Sequence, residues 1–336
     1  MARVQARRVT ERIDQSGKQF FEKRIVIEIV ARSGPMREAI RLADRVAATD
    51  ANVFVTGESG AGKDALALYI HSKSARAQQS FVKIDCATLP SGLLEAELFG
   101  YERGAFTGAN EAKPGRLEAA HRGTLVLDEI AYLSTDSQAK LLRVIETREF
   151  ERLGGRKKVT VDARLIALTN VDLSDAVNRQ SFREDLYYRL NVMHIAVPPL
   201  RERPEDLADL ARAFVKSYAA KHGREATEIS KEALRLLAEY QFPGNVRELA
   251  NTIERAVIIS SGKRLEVADL PEPIRVAAGA ERRRKQPQTL AEIEAAYVQE
   301  ILETTKGNKT EAARILGISR KNLYEKLARL NRKDEG

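Results

Sequence analysis

The stretch Gly57-Glu58-Ser59-Gly60-Ala61-Gly62-Lys63-Asp64 decides the fold of this 336-residue chain. The apolar run Val53-Phe54-Val55 precedes it, and a helical pattern over Ala65–His71 follows it. A Gly-rich loop between a buried strand and a helix is typical of a phosphate-binding loop, because its backbone N–H groups can converge on phosphate oxygens. The helix N-terminus adds a positive dipole, and Lys63 supplies a charge to the β- and γ-phosphates. The stretch therefore predicts a nucleoside triphosphate site.

Short apolar runs alternate with helical patterns from residue 25 to about residue 197. The runs that indicate buried strands are 53–55, 82–84, 124–127 and 165–168. Strands that alternate with helices predict an α/β layer structure with a largely parallel sheet. Pro198-Pro199 interrupts the pattern, and apolar residues then recur every three or four positions from Glu205 to about Ser260, which predicts a small helical domain.

The rest of the chain divides by composition. Prolines in Leu270-Pro271-Glu272-Pro273 and the charge run 281–287 indicate a linker. A last helical block begins at Thr289, which forms a capping box with Glu292. The predicted organisation is a basic arm (1–24), an α/β subdomain (25–197), a helical lid (198–273), a linker (274–288) and a C-terminal helical domain (289–336).

Composition limits the function classes. Hydrophobic residues make up 43% of the chain, so it can bury a core. The single cysteine, Cys86, excludes a disulfide framework within the chain and favours a cytoplasmic location. No apolar run approaches the ~18 residues that span a bilayer. The net charge of +8 indicates a polyanionic partner, and from Lys306 to Lys333 nine Lys/Arg stand against two Glu.

An acidic pair ends one of the predicted strands, in Leu125-Val126-Leu127-Asp128-Glu129. After a phosphate-binding loop at this distance, the pair predicts that Asp128 holds Mg²⁺, mostly through water, and that Glu129 polarises the attacking water. Asp64 stands where phosphate-binding loops usually place the Ser/Thr hydroxyl that meets Mg²⁺. We therefore assign Asp64, with Asp128, to the metal side of the site.

A second loop, Gly104-Ala105-Phe106-Thr107-Gly108-Ala109, lies between the two halves of this site. It places an aromatic ring and a hydroxyl between two glycines; taken alone, it could be a simple turn. In its context it resembles the signature of bacterial enhancer-binding proteins, the AAA+ ATPases that activate the sigma-54 form of RNA polymerase. The resemblance covers about residues 32–330. It implies an AAA+ P-loop core with a parallel sheet and a helical lid, followed by an all-α helix-turn-helix domain, and it implies that residues 104–109 contact the sigma factor.

The resemblance also implies roles for residues around the nucleotide. Asn170, at the end of a strand, corresponds to the first sensor of the γ-phosphate, although an Asn there can simply satisfy a turn. Arg183 and Arg189 correspond to arginine fingers that reach the ATP of a neighbouring subunit; the alternative is surface ion pairs with Glu184 and Asp185. Arg247 corresponds to the second sensor.

One position departs from the family pattern, while another follows it. An acidic residue is common in the family at the position of Asp64. At the position of Asp85 the relatives usually carry Asn, whose amide can hold the catalytic glutamate away from water. A carboxylate cannot donate that hydrogen bond unless it is protonated. Asp85 is therefore a candidate switch residue, and the alternative is that it pairs with Lys83 or Arg103.

The basic tail, residues 307–324, has the pattern helix, tight turn, helix, and it resembles the C-terminal helix-turn-helix of the nucleoid protein Fis. Gly317 permits the turn and Ser319 caps the second helix. A plain helical hairpin is the alternative. An apolar stripe on the preceding helix, which includes Tyr297, is either core or a two-fold interface that matches a palindromic DNA site. The predicted DNA contacts are Ser319, Arg320, Lys321, Asn322, Tyr324, Lys326 and Arg329.

Together these features predict an ATP-dependent transcriptional activator that uses ATP and Mg²⁺ to remodel the closed complex of sigma-54 RNA polymerase. The expected partners are that polymerase, double-stranded upstream DNA and further copies of the chain, as a dimer that assembles into a hexameric ring. About 24 residues precede the ATPase, so we expect either control by a separate regulatory protein or a shortened chain. The alternatives are a DNA-binding regulator that acts by occupancy and a replication initiator or other DNA-remodelling ATPase.

Overall fold

The computed structural model describes residues 29–276, 290–305 and 307–331, and the chain divides into two units between Ile274 and Arg275. The predicted arm 1–24, the charge run 281–287 and Thr289 of the capping box lie outside the described residues.

The first unit is built on a five-stranded sheet. Its elements and those that flank it include the strands β1 (Val53–Thr56), β2 (Phe81–Asp85), β3 (Gly100–Tyr101), β4 (Lys113–Pro114), β5 (Thr124–Asp128), β6 (Glu149–Glu151), β7 (Lys158–Thr160), β8 (Arg164–Thr169), β9 (Met193–Ala196), β10 (Glu228–Ile229) and β11 (Arg264–Leu265). The main sheet has the order β2-β5-β8-β1-β9, and all its pairs are parallel. The four predicted strands are confirmed; β9 is an additional edge strand, whose alternating burial leaves no continuous apolar run.

The helices of the first unit are α1 (Gly34–Ala47), α2 (Lys63–Lys73), α3 (Ser91–Phe99), α4 (Arg116–Ala119), α5 (Thr135–Thr147), α6 (Leu173–Asn178), α7 (Glu184–Leu190), α8 (Pro204–His222), α9 (Lys231–Glu239) and α10 (Asn245–Ile259). Single 3₁₀ turns occupy Ile130–Tyr132, Leu200–Glu202 and Val267–Asp269, and a short helical segment covers 272–276.

Helices cover both faces of the sheet, because successive strand residues point to opposite faces. On one face Val53 and Val55 pack with α1 and α2. On the other face Phe54 packs in a cluster that includes α3, α5 and α7. This is the predicted α/β layer structure. Loops connect the elements at the amino-terminal edge of the sheet, where the strands begin, and at the carboxyl-terminal edge, where the strands end.

The helical lid, α8 to α10, is joined to the α/β part by a buried carboxylate. Asp206 on α8 is fully buried and accepts hydrogen bonds from Ser33 N (2.9 Å) and Ser33 Oγ (3.0 Å). Ser33 is also the N-cap of α1, where its side chain accepts from Met36 N. A buried carboxylate needs such partners, since an unpaired one is costly. The start of α1 and the start of α8 are therefore fixed to each other.

The second unit contains α11 (Leu290–Thr304), α12 (Lys309–Ile315) and α13 (Arg320–Asn331). Val298, Ala312, Ala313 and Leu323 form its small core. Gly317 has φ +65°, a backbone conformation that favours glycine, and Ser319 Oγ accepts from Asn322 N at 3.2 Å. The predicted turn and cap between two helices are thus present. Tyr297, from the predicted apolar stripe, is 51% exposed rather than part of this core.

Candidate nucleotide site

The phosphate-binding loop follows β1 at the carboxyl-terminal edge of the sheet and leads directly into α2. Gly60 has φ +74°, and a Cβ at this position would lie 2.4 Å from the carbonyl oxygen of Gly244 in the lid. Glycine is required here by backbone conformation and by the close approach of the lid. Gly62, with φ +109°, precedes the first residue of α2. The loop therefore opens a helix N-terminus as predicted.

Lys63 is held inside this loop. Its side chain is buried, and Nζ donates to the carbonyl oxygens of Gly57 (2.8 Å) and Glu58 (3.3 Å). The same atom lies 3.7 Å from Glu129 Oε1. Lys63 thus joins the loop to the predicted catalytic carboxylate.

The two predicted metal-side carboxylates converge on one cation, Lys83 on β2. Lys83 Nζ lies 2.5 Å from Asp64 Oδ1 and 2.7 Å from Asp128 Oδ2. Burial by itself lowers the pKa of Lys83, but the hydrogen bonds to Asp128 and Asp64 outweigh it and raise the pKa above its usual value. Since both carboxylates reach one positively charged atom, they also suit a divalent cation, and Mg²⁺ is usually held by one or two carboxylates plus substrate phosphates. Among the described residues no group of three or more His, Cys, Asp or Glu could hold a metal by itself.

The structure shows no ion pair between Asp85 and either of the described cations that the sequence offered, Lys83 or Arg103, so this alternative is wrong. Instead Asp85 Oδ1 accepts a hydrogen bond from Ala87 N at 2.9 Å. In the ladder between β2 and β5, Asp85 lies opposite Asp128. Sequence reasoning treated Lys83 only as a partner of Asp85, because the pairing across to α2 and β5 depends on the sheet register.

Glu129 has a left-handed backbone, with φ +52° and ψ +50°, which is uncommon for a residue other than glycine. Its Oε2 accepts from the backbone N–H of Asn170 at 3.2 Å. The structure therefore brings Glu129, Lys63 and Asn170 together. The contact of Asn170 runs through its backbone rather than its side chain.

Polar side chains of the lid region, residues 198–273, contact the phosphate-binding loop. Arg201 binds the Glu58 carboxylate with two hydrogen bonds, of 2.7 and 2.5 Å. Asn245 Nδ2 donates to Glu58 Oε2 at 3.0 Å and to Ser59 O at 3.1 Å. The pKa of Glu58 is lowered to about 2, first by Arg201 and then by Asn245. These contacts close the lid over the loop.

Arg247, the predicted second sensor, lies at the same place. Its Nη1 donates to Ser59 Oγ at 3.0 Å, and it lines a cavity of about 370 Å³ with Ser59, Asn251 and Arg255. Asn245 lies within the first turn of α10 with φ +55°, and Gly244 precedes that helix. The side chain of Asn245 is fully buried, and its Oδ1 accepts from Leu200 N rather than from a group of its own helix.

The two predicted arginine fingers lie at opposite ends of α7. Arg183 precedes the helix in an extended conformation, and its guanidinium binds Asp185 at 3.0 and 2.7 Å. This is one of the ion pairs that the sequence left open. Arg189 lies in the last turn and lines a cavity of about 300 Å³ with Asn52, Arg148 and Val192.

Arg189 is on the opposite edge of the sheet from the phosphate-binding loop. Asn52, which immediately precedes β1, donates from Nδ2 to Arg189 O at 3.4 Å, whereas the loop begins at Gly57, after β1 ends. Four strand residues separate these edges by roughly 13 Å at about 3.3 Å per residue. The structure therefore does not bring Arg189 to the nucleotide loop of its own chain.

The loop 104–109 is a closed turn with an exposed tip. Gly104 N donates to Ala109 O at 2.8 Å, and Ala109 N donates to Phe106 O at 3.0 Å. Gly104 and Gly108 have φ +82° and +104°. Phe106 is 41% exposed, although the centroid of its ring lies 5.0 Å from that of Tyr101. Thr107 is exposed.

The base of this loop is tied to the segment after β6. Arg152 binds Glu118 with two hydrogen bonds of 2.8 and 2.7 Å and Glu102 with one of 3.1 Å. Glu102 N also donates to Leu153 O at 2.9 Å. Sequence reasoning did not find Arg152, because its partners lie 34 and 50 positions away.

In the second unit, α13 presents polar side chains to solvent. Exposed residues predicted to contact DNA are Ser319, Arg320, Lys321, Asn322 and Tyr324. Lys326 pairs with Glu294, and Lys309 Nζ lies 4.8 Å from the centroid of the Tyr324 ring. The side chain of Arg329 lies outside the described part of the chain. None of the helices that the structure describes is both long and apolar enough to cross a membrane.

Comparison with protein families decides the classification. The sigma-54 interaction domain matches residues 29–196. The chain belongs to the family of sigma-54-dependent transcriptional activators. The AAA+ ATPase lid domain matches residues 201–287, and the Fis family of bacterial regulatory proteins matches residues 289–330. The predicted family, the AAA+ ATPase core with its lid, and the helix-turn-helix are therefore confirmed.

Individual relatives agree with this. The chain is 46% identical over 315 residues to the transcriptional regulatory protein FlbD of Caulobacter vibrioides, covering 89% of this chain and 69% of the relative. It is 44% identical over 307 residues to the regulatory protein AtoC of Escherichia coli, covering 89% and 67%. Among solved structures, NtrX from Brucella abortus in complex with ATP matches with a TM-score of 0.67 and 34% identity, covering 92% of this chain and 70% of NtrX.

Proposed function

We propose that this activator assembles into a hexameric ring and hydrolyses Mg²⁺·ATP to remodel the closed complex of sigma-54 RNA polymerase. The proposal rests on the order of features along the chain between β2 and β5. The exposed loop 104–109 lies in the segment between β2 and β5, and β5 ends in the acidic pair Asp128-Glu129. A change at the nucleotide can therefore reach the loop through a short, packed segment.

Lys63 and the loop 57–62 bind the phosphates of ATP, which NtrX also binds. Asp64 and Asp128 hold Mg²⁺, whose charge stabilises the transferred phosphoryl group. Lys83 pairs with both carboxylates, so its ammonium group would compete with the metal ion for them. Arg247 contacts Ser59 of the loop and transmits the nucleotide state to the lid.

Glu129 orients the attacking water and accepts its proton. The hydrogen bond from Asn170 N holds the carboxylate near Lys63. Because Asn170 follows β8, a γ-phosphate that contacts its side chain also shifts the backbone that positions Glu129. This is the physical basis that we propose for the first sensor.

Arg183 and Arg189 stabilise the charge on the ATP of the neighbouring subunit. The position of Arg189 on the far edge of the sheet supports action in trans. Arg183 is partly exposed and paired with Asp185, and exposed pairs of this kind contribute little to stability. A triphosphate can therefore replace Asp185 as its partner.

The C-terminal unit binds upstream DNA, with α13 in the major groove. Arg320, Lys321 and Asn322 are exposed at its start, where recognition helices contact base edges. A dimer of this unit matches a palindromic site. Because its proposed partners are DNA and RNA polymerase, we expect the protein in the cytoplasm. A separate regulatory protein can control its assembly.

Asp85 remains a proposed switch. Its position opposite Asp128 in the ladder places it beside the acidic pair, while its Oδ1 is bound by Ala87 N. We expect Asp85→Asn to change basal ATPase and its response to the sigma factor, with nucleotide affinity unchanged. Steady-state turnover with and without sigma-54 measures this, and unchanged values would leave Asp85 a structural residue.

Thr107 provides the test of the proposed function. Thr107→Ala removes an exposed hydroxyl at the loop tip, so we expect open-complex formation at a sigma-54 promoter to be lost while ATPase turnover stays within about twofold. Thr107→Ser is the matched control, since it keeps the hydroxyl. Equal loss of both activities would contradict a separate contact role. Activation by the ATPase-deficient Lys63→Ala protein would instead favour a regulator that acts by occupancy.

A further inference from the structure

Gln138 on α5 is a fully buried amide, and its three hydrogen bonds all go to backbone groups. Its Nε2 donates to the carbonyl oxygens of Leu133 (2.8 Å) and Ser181 (3.1 Å). Its Oε1 accepts from the backbone N–H of Arg183 at 2.8 Å. Glutamine is seldom fully buried, and an amide in such a place is costly unless it is bonded. The side chain therefore links two segments that are 48 positions apart at the backbone level.

The first segment comes directly from the catalytic carboxylate. Tyr132 N donates to Glu129 O at 3.1 Å, and Leu133 N donates to Ile130 O at 3.1 Å. This 3₁₀ turn makes the Leu133 carbonyl part of one short rigid piece with Glu129. The left-handed backbone of Glu129, at φ +52°, belongs to the same piece.

The second segment, residues 181–183, leads into α7. Arg183 precedes α7, and the N–H groups near a helix start have no partner within the helix. Gln138 Oε1 supplies that partner for the Arg183 N–H. Ser181 O is held by the same amide, and Phe182 between them is buried at 3% exposure. The backbone is thus fixed on both sides of Phe182, while the Arg183 guanidinium stays at the surface.

We propose that Gln138 is a positioning residue for Arg183, so that each subunit couples the backbone behind its own Glu129 to the arginine it presents to its neighbour. The inference rests on the proposed function, in which Arg183 acts in trans. A misplacement of about 1 Å can cost on the order of 10²-fold in rate. Gln138 acts through the Arg183 backbone and does not touch the nucleotide.

The test is a set of mixed rings with Gln138→Met, which keeps an unbranched side chain of similar length but cannot form the three hydrogen bonds. Alone, this variant should bind ATP within about twofold of wild type and turn over about 10²-fold more slowly. Mixed with Lys63→Ala, which still presents a well-placed Arg183, it should regain ATPase. Mixed with Arg183→Ala it should regain none, because neither protein presents the arginine correctly.

A mixture of Lys63→Ala with Arg183→Ala is the control for the trans arrangement itself. Should this control fail to regain ATPase with assembly confirmed, the proposed trans function is wrong and the role of Gln138 falls with it. Should the control succeed, the inference about Gln138 is overturned by any of three results: normal turnover of Gln138→Met alone, no recovery in its mixture with Lys63→Ala, or recovery in its mixture with Arg183→Ala.

Gln138→Glu separates positioning from general loss of stability. As the neutral acid that burial favours, it keeps an oxygen that accepts from the Arg183 N–H and an O–H that can donate to one of the two carbonyls, so we expect its turnover to be at least about tenfold above that of Gln138→Met. Equal turnover of the two variants would contradict the proposal. If Gln138→Met proves unfolded by circular dichroism, Gln138→Leu, which also lacks all three hydrogen bonds, replaces it in the mixtures, where the same pattern of recovery is expected.

Discussion

The two edges of the main sheet differ in how their functional side chains are surrounded. At the carboxyl-terminal edge Lys63 is buried, and Glu58 and Lys83 are bound by partners from the same chain. At the other edge, the end of α7 exposes Arg189, together with Tyr188 at 67% and Val192 at 61% exposure. One edge is complete in a single chain, while the other has the exposed cationic and apolar composition of a contact surface. This difference supports the proposal that a second chain completes the site.

The largest expected effects distinguish nucleotide binding, which depends on the carboxyl-terminal edge, from turnover, which depends on both edges. Lys63→Ala should abolish nucleotide binding and turnover together. Arg189→Ala should leave binding within about twofold and reduce turnover by about 10³–10⁵, as the removal of an arginine finger does. Isothermal titration and a coupled ATPase assay measure both quantities. Arg179→Ala, which removes an exposed arginine at the end of α6, is the control and should match wild type.

Two asparagines, one at each edge, should contribute differently to the free energy of unfolding. Asn245 is fully buried and accepts from Leu200 N at 2.8 Å besides its bonds to Glu58 and Ser59. Asn52 has one bond of 3.4 Å, to Arg189 O. Asn245→Ala should lower the free energy of unfolding by about 1–3 kcal/mol, and Asn52→Ala by less than about 0.5 kcal/mol. Urea denaturation checks this; equal losses would contradict the difference between the edges.

The smallest effect concerns charge at the carboxyl-terminal edge. Lys83→Met leaves Asp64 and Asp128 without their cation, so they should repel ATP in the absence of metal. We expect ATP affinity in EDTA to fall about tenfold, which is about 1.4 kcal/mol, while affinity in excess Mg²⁺ stays nearly unchanged. Titration with a fluorescent nucleotide measures both. Lys73→Met removes a lysine at the far end of α2 and should change neither value.

The sequence allowed prediction of features that are contiguous in the chain. The phosphate-binding loop, the strand that ends in Asp128-Glu129 and the turn at Gly317 each carry their signal within about eight residues. Their local chemistry, such as positive φ at glycine, is enough to identify them.

Features that depend on contacts between distant segments could not be predicted. Lys83 pairs with residues 19 and 45 positions away, and Gln138 binds Arg183 45 positions away. Asn245 is a turn residue by its sequence context, yet its side chain binds Glu58 187 positions away. In each case the residue type is ordinary, and only the sheet register or the lid packing gives it a role.

We propose that each nucleotide is bound at the carboxyl-terminal edge of one chain and is contacted by the arginines of another. Mixing Lys63→Ala with Arg189→Ala tests it most directly, because each protein retains the half that the other lacks. We expect ATPase, near zero for each protein alone, to rise on mixing and to be highest near equal amounts. No recovery at any ratio, with mixed assembly confirmed by size-exclusion chromatography, would contradict it.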